Sequence, residues 1–382
     1  MKHIALVGDT HADQHSRFDE HNRIMAWIAA DAAARGCSLM LHSGDVWERG
    51  STVAERLAVA DYVRAVAEHM AFLAVAGNHD NPGDIEWIGR LRGRHSIVSV
   101  TRPEVIQIAG CNVACLPWPR KAQLLAALGI TSREAGDQAA VAGLKDILRG
   151  LGLALAELPG PNLLVAHCML RGSRTSISQP PLTGCDLEIG LEDLGLVGAA
   201  FYGLGHIHLG AGNEWLIEGA PAAFPGSPRR CNYGETESKG YIVITFDGDK
   251  LVGWERIETP CAPMLHVSAA WRDGEFAHDL GDADVRGAEV RVRYATAQDE
   301  RVGAAARAAE FEQSLLDAGA LMVKVEAIVL TEQRARAPEL AKAVTLDEKL
   351  AALWTAKSFD PGARREALLD KVHQLEEQAH AS

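Results

Sequence analysis

The chain has 382 residues, of which 47% are hydrophobic and 23% charged. This is the composition of a folded protein large enough for more than one domain. No apolar run approaches the roughly 20 residues that span a bilayer, and the chain opens on a predicted strand rather than a basic and apolar leader. Its seven cysteines are scattered without a C-x-x-C pair, so we expect free thiols, a cytoplasmic protein and no membrane association. The net charge of −13 disfavours unaided DNA binding, which usually needs a basic surface.

The first part of the chain alternates apolar runs with helical spacing. Ile4–Val7 is a predicted strand, residues 17–35 are a predicted helix, and residues 39–41 are the next strand. A second helix over 53–69 leads to a strand at Ala71–Val75. This βαβαβ order predicts a largely parallel or mixed sheet that is flanked by helices.

From about residue 97 short strands become more frequent. Val105–Ile108 and Val113–Leu116 predict a second sheet, and residues 136–157 again have helical spacing. Tyr241–Phe246 and Leu251–Glu255 are predicted to pair as a hairpin. Together these elements predict an α/β fold in which two sheets form a sandwich with outer helices.

Polar residues of metal-ligand type recur directly after the apolar runs. They are Asp9, His11, Asp45, Asn78, His79, Asp80, His167, His206 and His208. Ligands of open α/β sheets lie outside the carboxyl ends of the strands, so we expect these residues to converge at one edge of one sheet. The i, i+2 spacing of Asp9 with His11, and of His206 with His208, predicts that each pair points to one side of an extended chain.

Each motif also has a plainer interpretation. Asp9 could cap a helix, and Gly44–Asp45 could be an ordinary turn between a strand and a helix. Asn78 could be a turn residue with left-handed backbone geometry, and His167 could be a half-buried histidine without a ligand. The ordered set of motifs favours a common site over separate coincidences.

The candidate ligands combine carboxylate, amide and imidazole groups without a thiolate, a set that suits manganese, iron or zinc. Even seven of these nine candidate groups are too many for one tetrahedral ion, whereas two ions that share the Asp45 carboxylate could use them. Two ions about 3.5–4 Å apart can clamp a phosphoester and produce a hydroxide nucleophile near neutral pH. The ligand set therefore predicts hydrolysis of a phosphate ester.

These motifs, in this order, resemble the calcineurin-like metallophosphoesterase superfamily over roughly the first two thirds of the chain. A second stretch is similar to the SbcD-type DNA repair nuclease subunits: Phe224–Arg230, then Tyr233–Glu235 and Lys239–Tyr241. The resemblance implies a hydrolase with double-strand exonuclease and single-strand endonuclease activity. It also implies that this nuclease is one subunit of an SbcCD-type complex for DNA repair and recombination.

The resemblance further implies two divalent ions, manganese in particular, and a ligand set for each. The first ion would be held by Asp9, His11, Asp45 and His208. The second ion would be held by Asp45, Asn78, His167 and His206. His79 would contact the phosphate and protonate the leaving oxygen, with Asp80 orienting it.

Position 48 departs from some members of the family. Glu48 stands three residues past Asp45, where archaeal and eukaryotic relatives carry a histidine that places DNA. This departure puts the exonuclease-positioning role in doubt. Glu48, Arg49 and Arg171 are candidate substrate contacts, although for either arginine taken alone a solvated loop residue is the favoured interpretation.

We predict three domains or segments. Residues 1–258 form the metallophosphoesterase domain, 259–335 a small α/β capping domain, and 338–382 a C-terminal helical pair that binds a partner. Pro260 and Pro263 mark the first boundary. A role of the cap in guiding DNA follows from the resemblance alone, and a dimerisation or packing module is the plainer alternative.

The C-terminal segment has the pattern of two amphipathic helices. Thr345–Glu348 has capping-box spacing, and the stripes of the two helices include Leu353 and Leu375. In the SbcD family such a pair binds the coiled coil of an SbcC-type ATPase, although short terminal helices usually dock on their own protein. The resemblance also implies DNA as a partner and a homodimer of the nuclease subunit.

Two other functions compete with a DNA nuclease. The acidic net charge favours a small-molecule phosphodiesterase or phosphatase that uses the same ligands. A non-catalytic scaffold for the ATPase is a different class of function, and the complete ligand set disfavours it.

Overall fold

The computed structural model describes residues 1–127, 129, 133–177, 179, 187–272, 275–330 and 342–380. The chain divides into two compact units. The first unit comprises Met1–Ser268, His278–Arg293 and Ala309–Glu326, and the second comprises Ala269–Ala277, Tyr294–Ala308 and Ala327–Ser382. The predicted domain boundary between residues 335 and 338 lies outside the described residues.

The described strands and helices are as follows in chain order. The strands are β1 (Lys2–Val7), β2 (Cys37–His42), β3 (Ala71–Val75), β4 (Ile97–Val100), β5 (Glu104–Ile108), β6 (Cys111–Leu116), β7 (Asn162–His167), β8 (Met169–Leu170), β9 (Glu188–Ile189), β10 (Phe201–Gly205), β11 (Glu214–Ile217), β12 (Ala220–Ala223), β13 (Gly240–Asp247), β14 (Lys250–Glu258), β15 (Met264–Arg272), β16 (Glu275–His278), β17 (Glu289–Ala297) and β18 (Met322–Leu330). The α-helices are α1 (Phe18–Ala34), α2 (Val53–Ala67), α3 (Pro82–Ile88), α4 (Lys121–Ala127), α5 (Arg133–Ala156), α6 (Leu191–Leu194), α7 (Arg301–Asp317), α8 (Leu346–Ala356) and α9 (Arg365–His380). Short 3₁₀ helices cover Gly195–Val197 and Gly362–Arg364.

Two six-stranded sheets form the centre of the first unit. Their strand orders are β14-β13-β1-β2-β3-β4 and β11-β12-β10-β7-β6-β5. Strands β1 to β4 are parallel. The predicted hairpin β13–β14 is present, and it adds to the β1 edge in antiparallel orientation. In the second sheet β6, β7, β10 and β12 are parallel. The remaining described strands form the four-stranded sheet β16-β15-β17-β18 and the pair β8-β9.

The alternation of side chains along the strands explains the layers. Ile4 and Leu6 of β1 belong to the apolar cluster between the two six-stranded sheets. Ala5 and Val7 belong to a separate cluster under α1 and α2. A third cluster packs α5 against the outer face of the second sheet. Because successive strand residues point to opposite faces, strands that are apolar throughout are covered on both sides, which agrees with the predicted α/β sandwich with flanking helices.

One sequence expectation about the sheets needs a correction. Ile97–Val100 pairs with Ala71–Val75, so it extends the first sheet, and the second sheet begins only at Glu104. Parallel pairing with β3 is available to this strand because α3 intervenes and provides the crossover that two parallel strands require.

The C-terminal helices have the predicted positions. Thr345 and Glu348 form a reciprocal capping box at the start of α8, and α8 has no buried residue. Leu353 is 40% exposed and Leu375 is 53% exposed. His373 of α9 contacts Asp347 of α8, with 2.5 Å between Nε2 and Oδ1. Among the described helices, none combines the length and apolarity that crossing a membrane requires.

Candidate metal centre

The predicted ligands come together, and they come from both sheets. Asp9, Asp45 and Asn78 follow β1, β2 and β3 of the first sheet. His167 ends β7 of the second sheet, and the histidines of the G-H-I-H motif follow β10 of the same sheet. The expectation of one edge of one sheet was therefore wrong. The parallel strands of each sheet end at one edge, and hydrogen bonds between the loops bring the two edges together.

Two of these hydrogen bonds join the sheets directly at the site. His206 N donates to Asp9 Oδ1 at 2.9 Å. His167 Nδ1 donates to the Ser43 carbonyl oxygen at 2.7 Å. Because a carbonyl oxygen only accepts, the proton of His167 is on Nδ1, and Nε2 is left as the ligand atom. Fixing the tautomer through the other ring nitrogen is the usual arrangement around metal-binding histidines.

The backbone at the ligands is left-handed rather than extended. The φ angle is 52° at Asp9, 44° at His11, 54° at Asp45 and 106° at His206. Positive φ is uncommon for residues other than glycine and carries a conformational cost. The prediction that alternation along an extended chain aligns Asp9 with His11 was therefore wrong. Tight turns direct these side chains into the site, and left-handed residues cluster where ligands would bind.

The first group of candidate ligands consists of Asp9, His11 and His208, whose ligand atoms lie within 4.8 Å of one another. The Nε2 atoms of His11 and His208 are 2.9 Å apart, and Asp45 Oδ2 is 3.8 Å from His11 Nε2. Asp9 Oδ2 and His208 Nδ1 are buried without a hydrogen-bond partner in the described part of the chain. A bound cation would compensate for this carboxylate oxygen, which is otherwise costly to bury.

The second group consists of Asp45, His167 and His206, again with ligand atoms within 4.8 Å. His167 Nε2 is 3.3 Å from Asp45 Oδ2. Asn78 Oδ1 lies 2.9 Å from His167 Nε2 and 3.0 Å from His206 Nδ1. Asp45 is thus the carboxylate between both groups, as a bridging ligand would be. Oxygen and nitrogen donors in this arrangement fit two divalent cations.

Two glycines make room for the bridging carboxylate and its neighbour. A Cβ atom on Gly77 would lie 2.1 Å from Asp45 Oδ1. A Cβ atom on Gly44, where φ is 101°, would lie 2.4 Å from His167 Nδ1. The G-D and G-N-H-D motifs therefore require glycine for steric reasons.

Charges in the site shift several pKa values. Burial would lower the pKa of His167, but the Asp45 carboxylate raises it to about 9. Burial would raise the pKa of Asp45, but the His167 and His11 imidazoles hold it far below its usual value. Burial raises the pKa of Asp9 to about 6, and burial lowers the pKa of His206 to about 3. These shifts pair a charged His167 imidazole with the Asp45 carboxylate and keep the His206 imidazole neutral.

His79 lies at the rim of the site, but Asp80 does not orient it. His79 N donates to Asp45 Oδ1 at 2.9 Å, and His79 Nδ1 donates to the Glu48 carbonyl oxygen at 2.8 Å. The Asp80 carboxylate instead accepts from the backbone of Trp47 at 3.1 Å and of Gly77 at 2.8 Å. The Glu48 carbonyl, rather than Asp80, thus orients the His79 ring. Asp80 connects the loops that carry the G-D and G-N-H-D motifs.

The three candidate substrate contacts differ in their surroundings. Glu48 Oε2 lies 2.9 Å from His11 Nδ1, so this carboxylate faces a candidate ligand. Arg49 pairs with Asp13 at 2.8 Å, and Arg171 pairs with Glu192 at 3.3 Å. Both arginines are exposed. The structure places only Glu48 among the candidate ligands.

Sequence reasoning missed two residues that contact the ligand loops. Gln179 Nε2 donates to the His206 carbonyl at 2.6 Å, and its Oε1 accepts from His208 N at 2.9 Å. The ring of Trp118 lies 4.8 Å from that of His206. Gln179 belongs to no recognisable motif. Trp118 follows an apolar strand as the ligands do, and this position was its only signal.

Comparison with known proteins supports the chemistry indicated by this geometry. Residues 2–143 match the family model described as calcineurin-like phosphoesterase. The match supports the metallophosphoesterase superfamily and a metal-dependent hydrolase that acts on phosphoester bonds. No curated protein matches the chain. A solved structure described as "GAP50 the anchor in the inner membrane complex of Plasmodium" is similar at 11% identity and a TM-score of 0.39, covering 68% of this chain and 89% of the other.

Proposed function

We propose that this phosphoesterase is a DNA nuclease, the catalytic subunit of an SbcCD-type repair complex. One observation supports the hydrolytic activity in this proposal. The predicted ligands from both sheets lie close together, and Asp45 lies between two groups of histidines. The SbcD-like stretch from Phe224 to Tyr241 supports the narrower assignment to a nuclease. DNA is the proposed substrate, and manganese is the proposed metal.

The metal ligands and His79 have different roles in the proposed reaction. Divalent ions held by the two groups would neutralise charge on the phosphate and lower the pKa of a water molecule. His167 keeps Nε2 directed at the site because Ser43 holds its Nδ1–H. His79 gives its Nδ1–H to the Glu48 carbonyl, so Nε2 is the nitrogen that can protonate the leaving sugar oxygen. A positioned acid of this kind contributes about 10²–10⁴-fold to the rate.

The C-terminal helices support a partner protein. Leu353 and Leu375 lie on the predicted apolar stripes and are exposed, and exposed apolar surface of this kind is typical of interaction sites. The proposed partner is the coiled coil of an SbcC-type ATPase. We retain 1–258, 259–335 and 338–382 as the proposed nuclease, capping and partner-binding segments, and a homodimer as the proposed assembly.

The acidic charge fits a nuclease that does not hold DNA alone. The net charge is −13, and both candidate arginines are already paired with acids. Affinity for DNA comes largely from phosphate neutralisation, so the proposed ATPase would supply most of the basic surface. The same charge favours the alternative of a small-molecule phosphodiesterase, whose substrate needs no extended basic groove.

One comparison of substrates separates these functions. Cleavage of linear duplex and hairpin DNA is measured with manganese, with and without the ATPase encoded nearest to this gene, next to hydrolysis of bis-p-nitrophenyl phosphate. A nuclease subunit cleaves DNA and gains activity with the ATPase. Hydrolysis of the small diester without DNA cleavage under either condition would favour the small-molecule enzyme. Binding of the ATPase without any hydrolysis would favour the scaffold.

A truncation tests the partner segment separately. Removal of residues 338–382 should abolish capture of the ATPase and leave hydrolysis of the small diester unchanged. Loss of both would show that the helices support the fold of the chain instead.

A further inference from the structure

The stretch that carries the SbcD-like signature places several polar and charged side chains in the interior, next to the loops of the candidate metal centre. Arg229 is 2% exposed and Lys239 is 3% exposed, and both Ser227 and Glu235 are fully buried. Charged residues are almost never this buried without a specific partner. These four buried side chains cannot contact DNA, so their charges need another explanation within the fold.

The two buried cations point at the backbone of two candidate ligands. Arg229 Nη2 donates to the His11 carbonyl oxygen at 3.1 Å. Lys239 Nζ lies 3.4 Å from the His208 carbonyl oxygen, which also accepts from Ser227 N at 3.1 Å. Hydrogen bonds from charged donors are stronger than those between neutral groups. Each cation therefore restrains the main chain directly behind one imidazole.

Lys239 is itself held in place on several sides. Its Nζ lies 2.7 Å from Glu235 Oε2, 2.7 Å from Glu237 Oε1 and 3.2 Å from Ser227 Oγ. Ser227 Oγ in turn donates to the Arg229 carbonyl oxygen at 3.0 Å. The two cations thus belong to one buried network, and that network leaves little freedom to the loops that it contacts.

Within the described part of the chain, only the first group of ligands receives this support. His11 and His208 are the pair whose Nε2 atoms meet at 2.9 Å. In the second group the described contacts are of a different kind: Ser43 accepts from His167, and Gln179 donates to the His206 carbonyl. The two candidate cation positions therefore differ in their supports. Among the described residues, buried cations contact the backbone of the first group, whereas Ser43, Gln179 and the Asp9 carboxylate contact the second.

We infer that Arg229 and Lys239 are positioning residues for the first cation, and that this selective support is the role of the SbcD-like stretch. The inference rests on the proposed two-metal site. Outer contacts that orient metal ligands are commonly worth 10–100-fold in metal affinity. Loss of the support should therefore weaken one cation position and leave the other intact.

Arg229→Met is the variant that tests this inference. Replacing Lys239 would leave the fully buried Glu235 and the half-buried Glu237 without their cation and could unfold the protein. The described hydrogen bond of the Arg229 side chain goes only to the His11 carbonyl. Arg256→Met is the matched control. Arg256 is partly buried, pairs with Glu214 and donates to the Pro225, Phe224 and Gly210 carbonyl oxygens of the same region. None of its described hydrogen bonds goes to a candidate ligand.

The full-length apoprotein is titrated with Mn²⁺, and binding is followed by calorimetry and by the electron paramagnetic resonance signal of coupled Mn²⁺ pairs. For Arg229→Met we expect one site of unchanged affinity, a second weakened by about tenfold or more, and loss of the coupled signal at two equivalents. Arg256→Met should match the unaltered protein within about twofold at both sites. In a His206→Ala background Arg229→Met should weaken the remaining site, and in a His208→Ala background it should have little further effect.

Four results would overturn the inference, the first three of which concern weakening of the sites. These are equal weakening of both sites, unchanged binding in Arg229→Met, or the same loss in Arg256→Met. Stronger binding in Arg229→Met would also overturn it, because repulsion by the buried charge would then outweigh positioning. Failure of the unaltered protein to bind two Mn²⁺ ions would instead refute the proposed two-metal site itself.

Discussion

Replacing Gly77 with alanine should displace the bridging carboxylate. The new Cβ would lie 2.1 Å from Asp45 Oδ1 and 2.4 Å from the Asp45 backbone nitrogen. The first distance is about 1.3 Å short of ordinary van der Waals contact. Rotation of the Asp45 side chain cannot relieve the second contact because it involves the main chain. Asp80 also holds the Gly77 loop in place, since its Oδ2 accepts from Gly77 N at 2.8 Å.

The size of the effect follows from this displacement. A misplacement of about 1 Å in a catalytic group can cost roughly 10²-fold in rate, which corresponds to about 2.7 kcal/mol of transition-state stabilisation. We therefore expect Gly77→Ala to lower kcat/KM for bis-p-nitrophenyl phosphate by about 100-fold. Affinity for both metal ions should fall together, because Asp45 is near both histidine groups. This pattern differs from the loss at one site that we expect for Arg229→Met.

Gly50→Ala is the matched control, because a Cβ atom there would meet nothing within 4 Å. Kinetics, metal content and thermal unfolding are measured for both variants, and circular dichroism establishes that each is folded. The control should keep its activity within about twofold. A folded Gly77→Ala protein with kcat/KM within about threefold of the unaltered enzyme would refute the steric reasoning.

Three further outcomes are expected. His79→Ala should lose about 10²–10⁴-fold in kcat while metal content stays at two ions, and full activity would exclude the proposed acid role. Glu48→Ala should weaken metal binding through His11 more than Glu48→Gln does, because the glutamine oxygen can still accept from Nδ1; equal effects in calorimetry would show that charge rather than the hydrogen bond matters. In chelator-treated protein, the raised pKa of His167 stabilises the fold fully below pH 6.5, its unfolded value, and this contribution is lost as the pH rises to about 9. Denaturation with urea should therefore show stability falling over that window by on the order of 3 kcal/mol, and a His167→Asn variant that keeps the same slope would exclude this cause.

The sequence indicated the donors and their strands because strand ends and ligand types are local features. Asp9, Asp45 and Asn78 each follow an apolar run, and parallel strands deliver such residues to a shared edge. Other local patterns predicted the capping box at Thr345 and the α/β sandwich: the spacing of Thr345 and Glu348, and the order of the apolar runs. These features depend on a few adjacent residues, so one sequence suffices to find them.

The features of the site that the sequence did not indicate depend on contacts between distant segments of the chain. Nothing near His167 indicates that its ring nitrogen meets the Ser43 carbonyl, 124 residues away. The left-handed geometry of Asp9 and Asp45 is uncommon for any residue other than glycine, and no short sequence pattern indicates it. The sequence predicts that Asp80 orients its neighbour His79. Its carboxylate oxygens instead accept hydrogen bonds from the backbone nitrogens of Trp47 and Gly77.

The division of the ligands between two sheets has a consequence for how the protein matures. The first sheet carries oxygen donors and one imidazole, and the second carries the remaining imidazoles. Neither half alone offers a full coordination shell. Because each ion would take ligands from both sheets, its coordination would be complete only after the sheets dock, and its binding would then stabilise the docked sheets. A bound ion would therefore stabilise the fully folded chain and would bind partly folded forms only weakly.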